Sequence, residues 1–463
     1  MSYSKILPSA WLHESRAILH LAVPLALTQI AHMAIVTTDV VMMGRIGTDA
    51  LAAGTLSSHF YWVFVAFAMG TLTGATPIMA QHLGARRFRK IRPVVRNAAW
   101  LCLLLAITFG TAAWFSGTIL TRLGQEEQIA ANGQSYLRHM VWGLLPGLWL
   151  VVLSEFLVAH ARPRAVLFVT ILGIALNALL DYALMFGNLG APELGLDGAG
   201  VASALVNVFM FLALLFYVLR DKRLCRYRLL GRFWKTDWAA MREIARVGLP
   251  IAVTEVAEMG MFVTTSLMMG LLGVEALAAH GVTAQCYAVI FMIPVGLAQA
   301  GAVRVGRAVG AGETKGAALS GWTAVAMAGI FTLIPVTAFW FAGRFIASLI
   351  LDASNPGNAD TLALASSLLA VASFFMLADS IQITARGALQ GMKDTAIPMV
   401  IALATSWGLG LPAALILGFE LHQGGQGIWA GLAIAMTAAS LLLVWRFRNQ
   451  TRSLVALNGA RSM

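Results

Sequence analysis

Long apolar stretches recur along the chain from residue 17 to residue 445. Each is about 20 residues or longer, which is enough for a helix to cross a hydrocarbon core of roughly 30 Å. Glycine, proline and charged residues fall in the connections between the stretches. The pattern predicts twelve transmembrane helices over residues 17–43, 50–76, 94–116, 138–160, 165–187, 196–219, 244–270, 277–303, 320–342, 361–385, 396–418 and 427–446.

The composition excludes a soluble protein. The chain is 59% hydrophobic and only 11% charged, whereas soluble domains carry roughly 25% charged residues. The first apolar run, from Ala17 to Ile46, is too long for a signal-peptide core and lacks a small-residue cleavage site. We therefore expect an all-α, multi-pass integral membrane protein that keeps its first helix.

The net charge of +11 is distributed unevenly between the two sides of the predicted bundle. Of the 32 Lys and Arg residues, 28 fall in the termini and the loops after even-numbered spans. The four on the other side are Arg45, Arg122, Arg138 and Arg344. The positive-inside rule then places both termini in the cytoplasm of a bacterial inner membrane. Basic loops that face anionic lipid headgroups need no nucleic-acid partner.

An internal repeat divides the chain. Residues 21–53 align with residues 247–279 without a gap, at an offset of 226, with 14 of 33 positions identical. Because each repeat holds an even number of spans, the two halves must be parallel. We expect a six-helix N-terminal bundle over 1–219, a basic cytoplasmic linker over 220–246 and a six-helix C-terminal bundle over 247–463. Such halves suit alternating access.

Six acidic residues lie within the predicted spans, where a charge costs about 2.5–3.5 kcal/mol and marks a functional candidate. They are Asp39, Glu155, Asp181, Glu255, Glu258 and Asp379. Glu155 lies near a cytoplasmic helix end, where a salt bridge with His160 or Arg162 is the simpler interpretation. A hydrogen-bonded clamp between helices near the periplasmic surface is the structural alternative for Asp39 and Asp181.

Equivalent helical faces of spans one and seven carry different ionisable groups. Gln29, His32 and Asp39 share one face of span one. The repeat aligns them with Glu255, Glu258 and Thr265 of span seven. A scaffolding role common to both halves would not need this difference, so we expect Asp39 and Glu258 to be functional.

Span five adds a second polar pair. Asn177 and Asp181 are four residues apart, so their side chains converge, and Asp39 is expected at a compatible depth. The oxygens of these three residues could hold Na⁺, or the two acids could carry a proton. Asp379, deep in span ten, is a further candidate.

The order of several motifs resembles the multidrug and toxic compound extrusion (MATE) family, in particular its NorM-type branch. The stretches that carry the resemblance are TDVVMMG at 38–44, LNALLDYALMFGNLGAPELGLDGAGVASA at 176–204, GLPIAVTEVAEMGMF at 248–262, ALAAH at 276–280, RVGRAVGAGETKGA at 304–317, ADSIQITARGALQGMKDT at 378–395 and GLPAALILG at 410–418. The resemblance implies the MATE fold and export of cationic or amphipathic drugs in exchange for Na⁺ or H⁺, with no cofactor.

The resemblance also implies site residues. It marks Asp39, Glu258 and Asp379 as cation-coupling acids, and Asn177 and Asp181 match an N-half cation site of the family. Glu255 joins the cation-coupling set because it lies one helical turn from Glu258. Na⁺ would be held either by Glu258 and Asp379 or by Asp39, Asn177 and Asp181. The expected substrate cleft contains Gln29, His32, Phe262, Gln285 and Phe375. Two positions depart from the family pattern: Gly281 replaces a glutamine, and Phe375 replaces a tyrosine that could act as a hydroxyl ligand. We expect a monomer in the lipid bilayer.

Three other functions remain to be weighed. A flippase for lipid-linked precursors would need basic residues in the cleft to hold pyrophosphate. An intramembrane enzyme is disfavoured because the sequence has no HExxH or GxSxG motif and its nine histidines are scattered. Its three cysteines also form no disulfide or metal-binding pattern. A channel would not need two large duplicated halves.

Overall fold

The computed structural model describes residues 8–231 and 233–461. The outermost residues of the two expected halves, 1–7 and 462–463, and Arg232 of the expected linker lie outside the described residues. Across the described part the chain is helical and contains no strand.

The helices of the first repeat are α1 (Pro8–Ile46), α2 (Thr48–Thr73), α3 (Ala75–Gly84), α4 (Ile91–Trp114), α5 (Ser116–Arg122), α6 (Glu127–Met140), α7 (Leu144–Ala159), α8 (Pro163–Phe186) and α9 (Leu196–Arg220). Those of the second repeat are α10 (Trp238–Leu272), α11 (Val274–Gly310), α12 (Thr314–Ser348), α13 (Ala359–Gly391), α14 (Ala396–Leu403), α15 (Leu411–Leu415) and α16 (Gly424–Arg461). Two π-helical segments, Ala404–Gly410 and Ile416–Glu420, flank α15.

Within the described ranges, twelve helical stretches are long and apolar enough to cross a membrane. This confirms the predicted all-α fold with twelve spanning helices. Several helices extend past the predicted spans, as α10 does by beginning at Trp238 rather than near residue 244. The reason is physical: hydropathy marks only the apolar part of a helix, while backbone hydrogen bonding continues into the polar interface.

The helices form two compact units. One unit is Leu27–Ala252, and the other joins the described residues up to Ala26 to those from Val253 onward. Compared with the bounds expected from the sequence, the unit Leu27–Ala252 also contains the linker and the start of α10 up to Ala252, and the start of α1 up to Ala26 belongs to the other unit. The two crossover points, after Ala26 and after Ala252, are 226 residues apart, which is the offset of the sequence repeat.

Glycines permit the close packing of these exchanged segments. In the first unit, a Cβ on Gly70 would lie 2.6 Å from the Cα of Ala252. In the second, a Cβ on Gly296 would lie 2.7 Å from the backbone oxygen of Ala22 and 2.9 Å from the nitrogen of Ala26. Gly70 and Gly296 are equivalent in the repeat, so both units use the same packing solution.

An ion pair also holds the start of α1 within its unit. Glu14, which is 6% exposed, accepts hydrogen bonds from Arg304 of α11 and Ser320 of α12. The Arg304 Nε to Glu14 Oε1 distance is 2.8 Å, and the Ser320 Oγ to Glu14 Oε1 distance is 2.6 Å. A buried carboxylate needs such partners to offset its desolvation.

Candidate functional site

The unit Leu27–Ala252 contains a cluster of polar side chains from three helices. Asp39 lies on α1, Asn177 and Asp181 lie one turn apart on α8, and Ser203 lies on α9. The Asn177 amide donates to Asp39 Oδ1 at 2.9 Å, and the Ser203 hydroxyl donates to Asp39 Oδ2 at 3.5 Å. The structure therefore brings together the three side chains that the sequence predicted to converge.

This cluster, which we call the N site (Asp39, Asn177, Asp181 and Ser203), has more acceptors than donors. Asn177 and Asp181 are fully buried. Both carboxyl oxygens of Asp181 and the Oδ1 of Asn177 receive no hydrogen bond from an amide, amine or hydroxyl group among the described residues. Orphaned buried oxygens normally cost about 1–3 kcal/mol each. Their presence fits a site that binds a small cation or protons.

No positive side chain compensates the two acids of the N site. Among the ion pairs formed by residues 8–231 and 233–461, none involves Asp39 or Asp181. Two neighbouring carboxyl groups that are largely shielded from water resist being charged together unless a cation lies between them. Hard oxygen donors, without sulfur or nitrogen, are the ligands that alkali and alkaline-earth ions prefer.

The other unit contains a cavity of about 340 Å³ lined by Glu255, Glu258 and Asp379. We call it the C cavity. Asp379 is 6% exposed, whereas the side chain of Glu255 is 46% exposed and that of Glu258 is 20% exposed. The hydroxyl of Tyr287 donates to Asp379 Oδ2 at 2.6 Å. Three carboxyl groups therefore face one cavity from α10 and α13.

Aromatic rings and methionines form the rest of the C cavity. Phe262 stacks on Tyr287 with ring centroids 5.6 Å apart, and the edge of Phe375 meets Tyr287 at 5.2 Å. The remaining apolar lining residues include Met259, Met261, Phe291, Met292 and Met436. Polarizable, adaptable side chains of this kind accommodate varied ligand shapes, and ring faces attract organic cations.

Arg386 compensates part of the charge of the C cavity. Its Nη1 lies 2.5 Å from Glu258 Oε1, and its Nη2 lies 3.5 Å from Glu255 Oε1. The charge distribution along the sequence places Arg386 in the loop after span ten, but the residue lies inside α13 at 4% exposure. Glu258 is therefore ion-paired, yet it still lines the cavity.

The other expected cleft residues lie elsewhere. Of the residues expected in the substrate cleft, Phe262 and Phe375 line the C cavity, whereas Gln29, His32 and Gln285 do not. Gln29 and His32 are half-buried in the unit Leu27–Ala252, and Gln285 is exposed. At Gly281 nothing lies within 4 Å of an added Cβ, so that position also makes no contact in the cavity.

Sequence reasoning missed Tyr287 and Arg386. Tyr287 supplies the hydroxyl that Phe375 lacks, from a different helix, and its repeat equivalent is also a tyrosine, Tyr61. Arg386 is seven residues after Asp379, on the same helical face. Both signals are present in the sequence, but neither residue is an acid within an apolar span, which is the conspicuous feature.

Glu155 differs from its simpler interpretation. Its carboxylate accepts a hydrogen bond from Thr76 of α3. Arg162, one of the two salt-bridge partners expected for it, pairs with Asp221 instead. A hydroxyl donor within the bundle therefore serves Glu155.

Comparison with known proteins gives a consistent result. The MatE family matches residues 24–183 and 250–416. A protein of Mesorhizobium japonicum named "Probable multidrug resistance protein NorM" is 39% identical over 444 residues, covering 95% of each chain. A protein of the same name from Brucella suis is 37% identical over 452 residues, covering 97% of this chain and 96% of its own.

Solved structures share the fold at low sequence identity. The eukaryotic MATE transporter AtDTX14 superposes with a TM-score of 0.83 at 19% identity, covering 96% of this chain and 98% of its own. The outward-facing conformation of a multidrug resistance MATE family transporter of the MOP superfamily superposes with a TM-score of 0.85 at 19% identity, covering 96% of this chain and 97% of its own.

Proposed function

This chain belongs to the MatE family, and from that premise we propose that it is a cation-coupled antiporter that exports organic-cation drugs across the bacterial inner membrane. Family membership makes it a multi-pass membrane transporter and not an enzyme. Relatives that cover nearly the whole chain are named as probable multidrug resistance proteins, which supports multidrug efflux. The exported compounds are cationic or amphipathic toxic molecules, the coupling ion is Na⁺ or H⁺, and no cofactor takes part.

The observation that carries the drug-binding part of the proposal is the C cavity. It combines three carboxyl groups with aromatic rings and methionines in about 340 Å³. Ligand pockets of this size are mostly apolar, with a few polar groups that fix the ligand. A flat organic cation would stack on Phe262 and Tyr287 while its charge approaches Asp379.

The N site supports the coupling part of the proposal. Asp181 and Asn177 present buried oxygen acceptors that lack amide, amine or hydroxyl donors. Neither Asp39 nor Asp181 has a basic partner among the described residues. A Na⁺ ion or a proton would satisfy them. Asp379 and Glu258 of the C cavity are the second proposed coupling pair, with Glu255 beside them.

Transport would proceed by alternating access. In the outward-open state an external cation binds to the carboxylates and lowers the affinity of the protein for the drug. The drug then dissociates to the outside. The cation-loaded protein returns to the inward-open state, releases the cation and accepts a drug molecule from the cytoplasm or the inner leaflet. Each ligand drives the cycle only through its different affinity for the two states.

A lipid-linked precursor flippase is the rival transporter function. It would need basic groups to hold pyrophosphate, but the lining of the C cavity carries acids, and Arg386 is buried against Glu258. The cavity therefore favours cationic over anionic ligands.

A competition experiment tests the proposal. The purified protein would be titrated with ethidium in lipid nanodiscs, at low Na⁺ and then at high Na⁺, and in weakly buffered solution to record proton release. We expect ethidium to displace one of the two ions, and Asp379→Asn to reduce that displacement. Ethidium binding that is indifferent to both Na⁺ and pH would overturn the coupling, and no ethidium binding would overturn the drug site.

A further inference from the structure

Arg386 places a permanent positive charge beside the C cavity. It lies on α13 on the same face as Asp379 and Gln382, and it is 4% exposed. A guanidinium does not lose its proton in proteins. It is not among the cavity-lining residues, so it acts on a bound ligand through the carboxylates in front of it.

The contacts of Arg386 concentrate on one oxygen of Glu258. The Arg386 Nη1 donates to Glu258 Oε1 at 2.5 Å, and the Gln382 amide donates to the same oxygen at 3.2 Å. The Glu255 carboxylate lies further away, at 3.5 Å from Nη2. Two donors on α13 thus hold Glu258 of α10 in a fixed orientation.

The charge of the site follows from these groups. Glu255, Glu258 and Asp379 provide three carboxylates, and Arg386 provides one guanidinium. With all three acids ionised, the cavity presents a net charge of two negatives instead of three. Arg386 therefore neutralises one of the three negative charges, as one bound monovalent cation would.

We propose that Arg386 is a positioning residue that sets the charge of the C cavity and thereby its discrimination between organic cations of one and two charges. This inference rests on the proposed export of organic cations, and it adds the charge class of the preferred substrate. With Arg386 present, the cavity carries less negative charge, and its affinity for divalent relative to monovalent cations is therefore lower.

Electrostatics gives the inference a quantitative signature. The interaction of a ligand with an added charge scales with the ligand's own charge. Loss of the guanidinium should therefore raise the affinity for both kinds of cation. The factor for a divalent cation should be the square of the factor for a monovalent cation. At an effective dielectric constant of about 20, one charge acting over a distance on the order of 10 Å changes an affinity on the order of tenfold per ligand charge.

The experiment compares ethidium and propidium, which share one ring system but carry one and two positive charges. Both would be titrated by fluorescence into the full-length protein in nanodiscs, using the wild type, Arg386→Gln, Glu258→Gln, the double variant and Arg386→Lys. The measured quantity is the ratio of propidium to ethidium affinity. A change in cavity shape alone can alter the ratio in a single variant, but it gives no reason for the ratio to follow the net charge across all the variants.

We expect the ratio to follow net charge. It should rise roughly tenfold in Arg386→Gln, fall in Glu258→Gln, and return to the wild-type value in the double variant and in Arg386→Lys. Arg386→Gln leaves a buried carboxylate unpaired and can impair folding, but removing both partners of a buried pair is usually tolerated. The double variant and Glu258→Gln then still decide the outcome.

A ratio that is the same in all the folded variants would overturn the inference while leaving the proposed function intact. A wild-type protein that binds neither dye would instead overturn the proposed function. The two failures are therefore distinguishable in one experiment.

Discussion

Gly296→Ala tests the exchange of first-helix segments between the two units. An added Cβ would lie 2.7 Å from the Ala22 backbone oxygen, 2.9 Å from the Ala26 nitrogen and 3.0 Å from the Ala26 Cβ. Ordinary contacts begin near 3.4 Å, so α1 and α11 would have to separate by several tenths of an ångström. Two of the three atoms are backbone atoms and cannot rotate away.

Gly281→Ala, on the same helix, is the matched control, because nothing lies within 4 Å of its added Cβ. Both substitutions gain about 1 kcal/mol of helix propensity, so this term cancels in the comparison. Overpacking a well-packed site costs about 1–3 kcal/mol. We expect Gly296→Ala to be less stable than Gly281→Ala by that amount.

The assay is unfolding in detergent followed by tryptophan fluorescence. The Tm of Gly296→Ala should fall below that of the wild type, and the Tm of Gly281→Ala should equal or exceed it. Gly70→Ala, at the equivalent position of the repeat, should behave like Gly296→Ala because its Cβ would lie 2.6 Å from the Ala252 Cα. Equal Tm values for Gly296→Ala and Gly281→Ala would refute the packing argument.

Three further predictions concern charged groups. Asp181→Asn should stabilise the protein by about 1–3 kcal/mol in thermal unfolding, because the new amide can donate to Asp39. The same substitution should abolish drug efflux, and lower stability with normal efflux would contradict this prediction. Glu14→Gln breaks the buried ion pair with α11 and should cost up to about 3 kcal/mol; an unchanged Tm would show that this contact does not hold α1. The hydrogen bond from Arg162 holds the pKa of Asp221 below its usual value, so its stabilisation is present above the ordinary aspartate pKa and is lost as the pH falls. Asp221→Asn should therefore lower the Tm slightly at neutral pH, by less than about 1 kcal/mol since the pair is solvent-screened, and the difference should vanish in acid; a difference that persists there would contradict the assignment.

Hydropathy and the repeat predicted the helices well because the bilayer imposes a minimum apolar length on every span. They could not predict the exchange of first segments between the units. A parallel repeat defines the order and direction of helices, but not the bundle against which each one packs. Which bundle a segment packs against depends on close contacts such as the one between Gly296 and Ala22, and these contacts can be recognised only in the three-dimensional structure.

The acidic residues were found from the sequence because a carboxylate inside an apolar run is conspicuous. The convergence of Asp39, Asn177 and Asp181 followed from helical spacing and depth, and the structure places them in contact; their role in coupling is part of the proposed function. The burial of Arg386 was not predicted, because the positive-inside rule assigns an arginine at the end of an apolar run to the adjoining loop. Its burial is possible because Glu258 offsets its desolvation, and that pairing joins residues 128 positions apart.

Drug efflux from proteoliposomes tests the central claim most directly. Reconstituted protein would receive a Na⁺ gradient alone or a pH gradient alone, and ethidium movement would be followed by fluorescence. We expect at least one gradient to drive concentrative transport by the wild type and neither gradient to drive it after combined Asp39→Asn and Asp379→Asn substitution. Wild-type transport that responds to neither gradient, or gradient-driven transport that survives the combined substitution, would contradict the claim that these buried acids exchange a small cation for the drug.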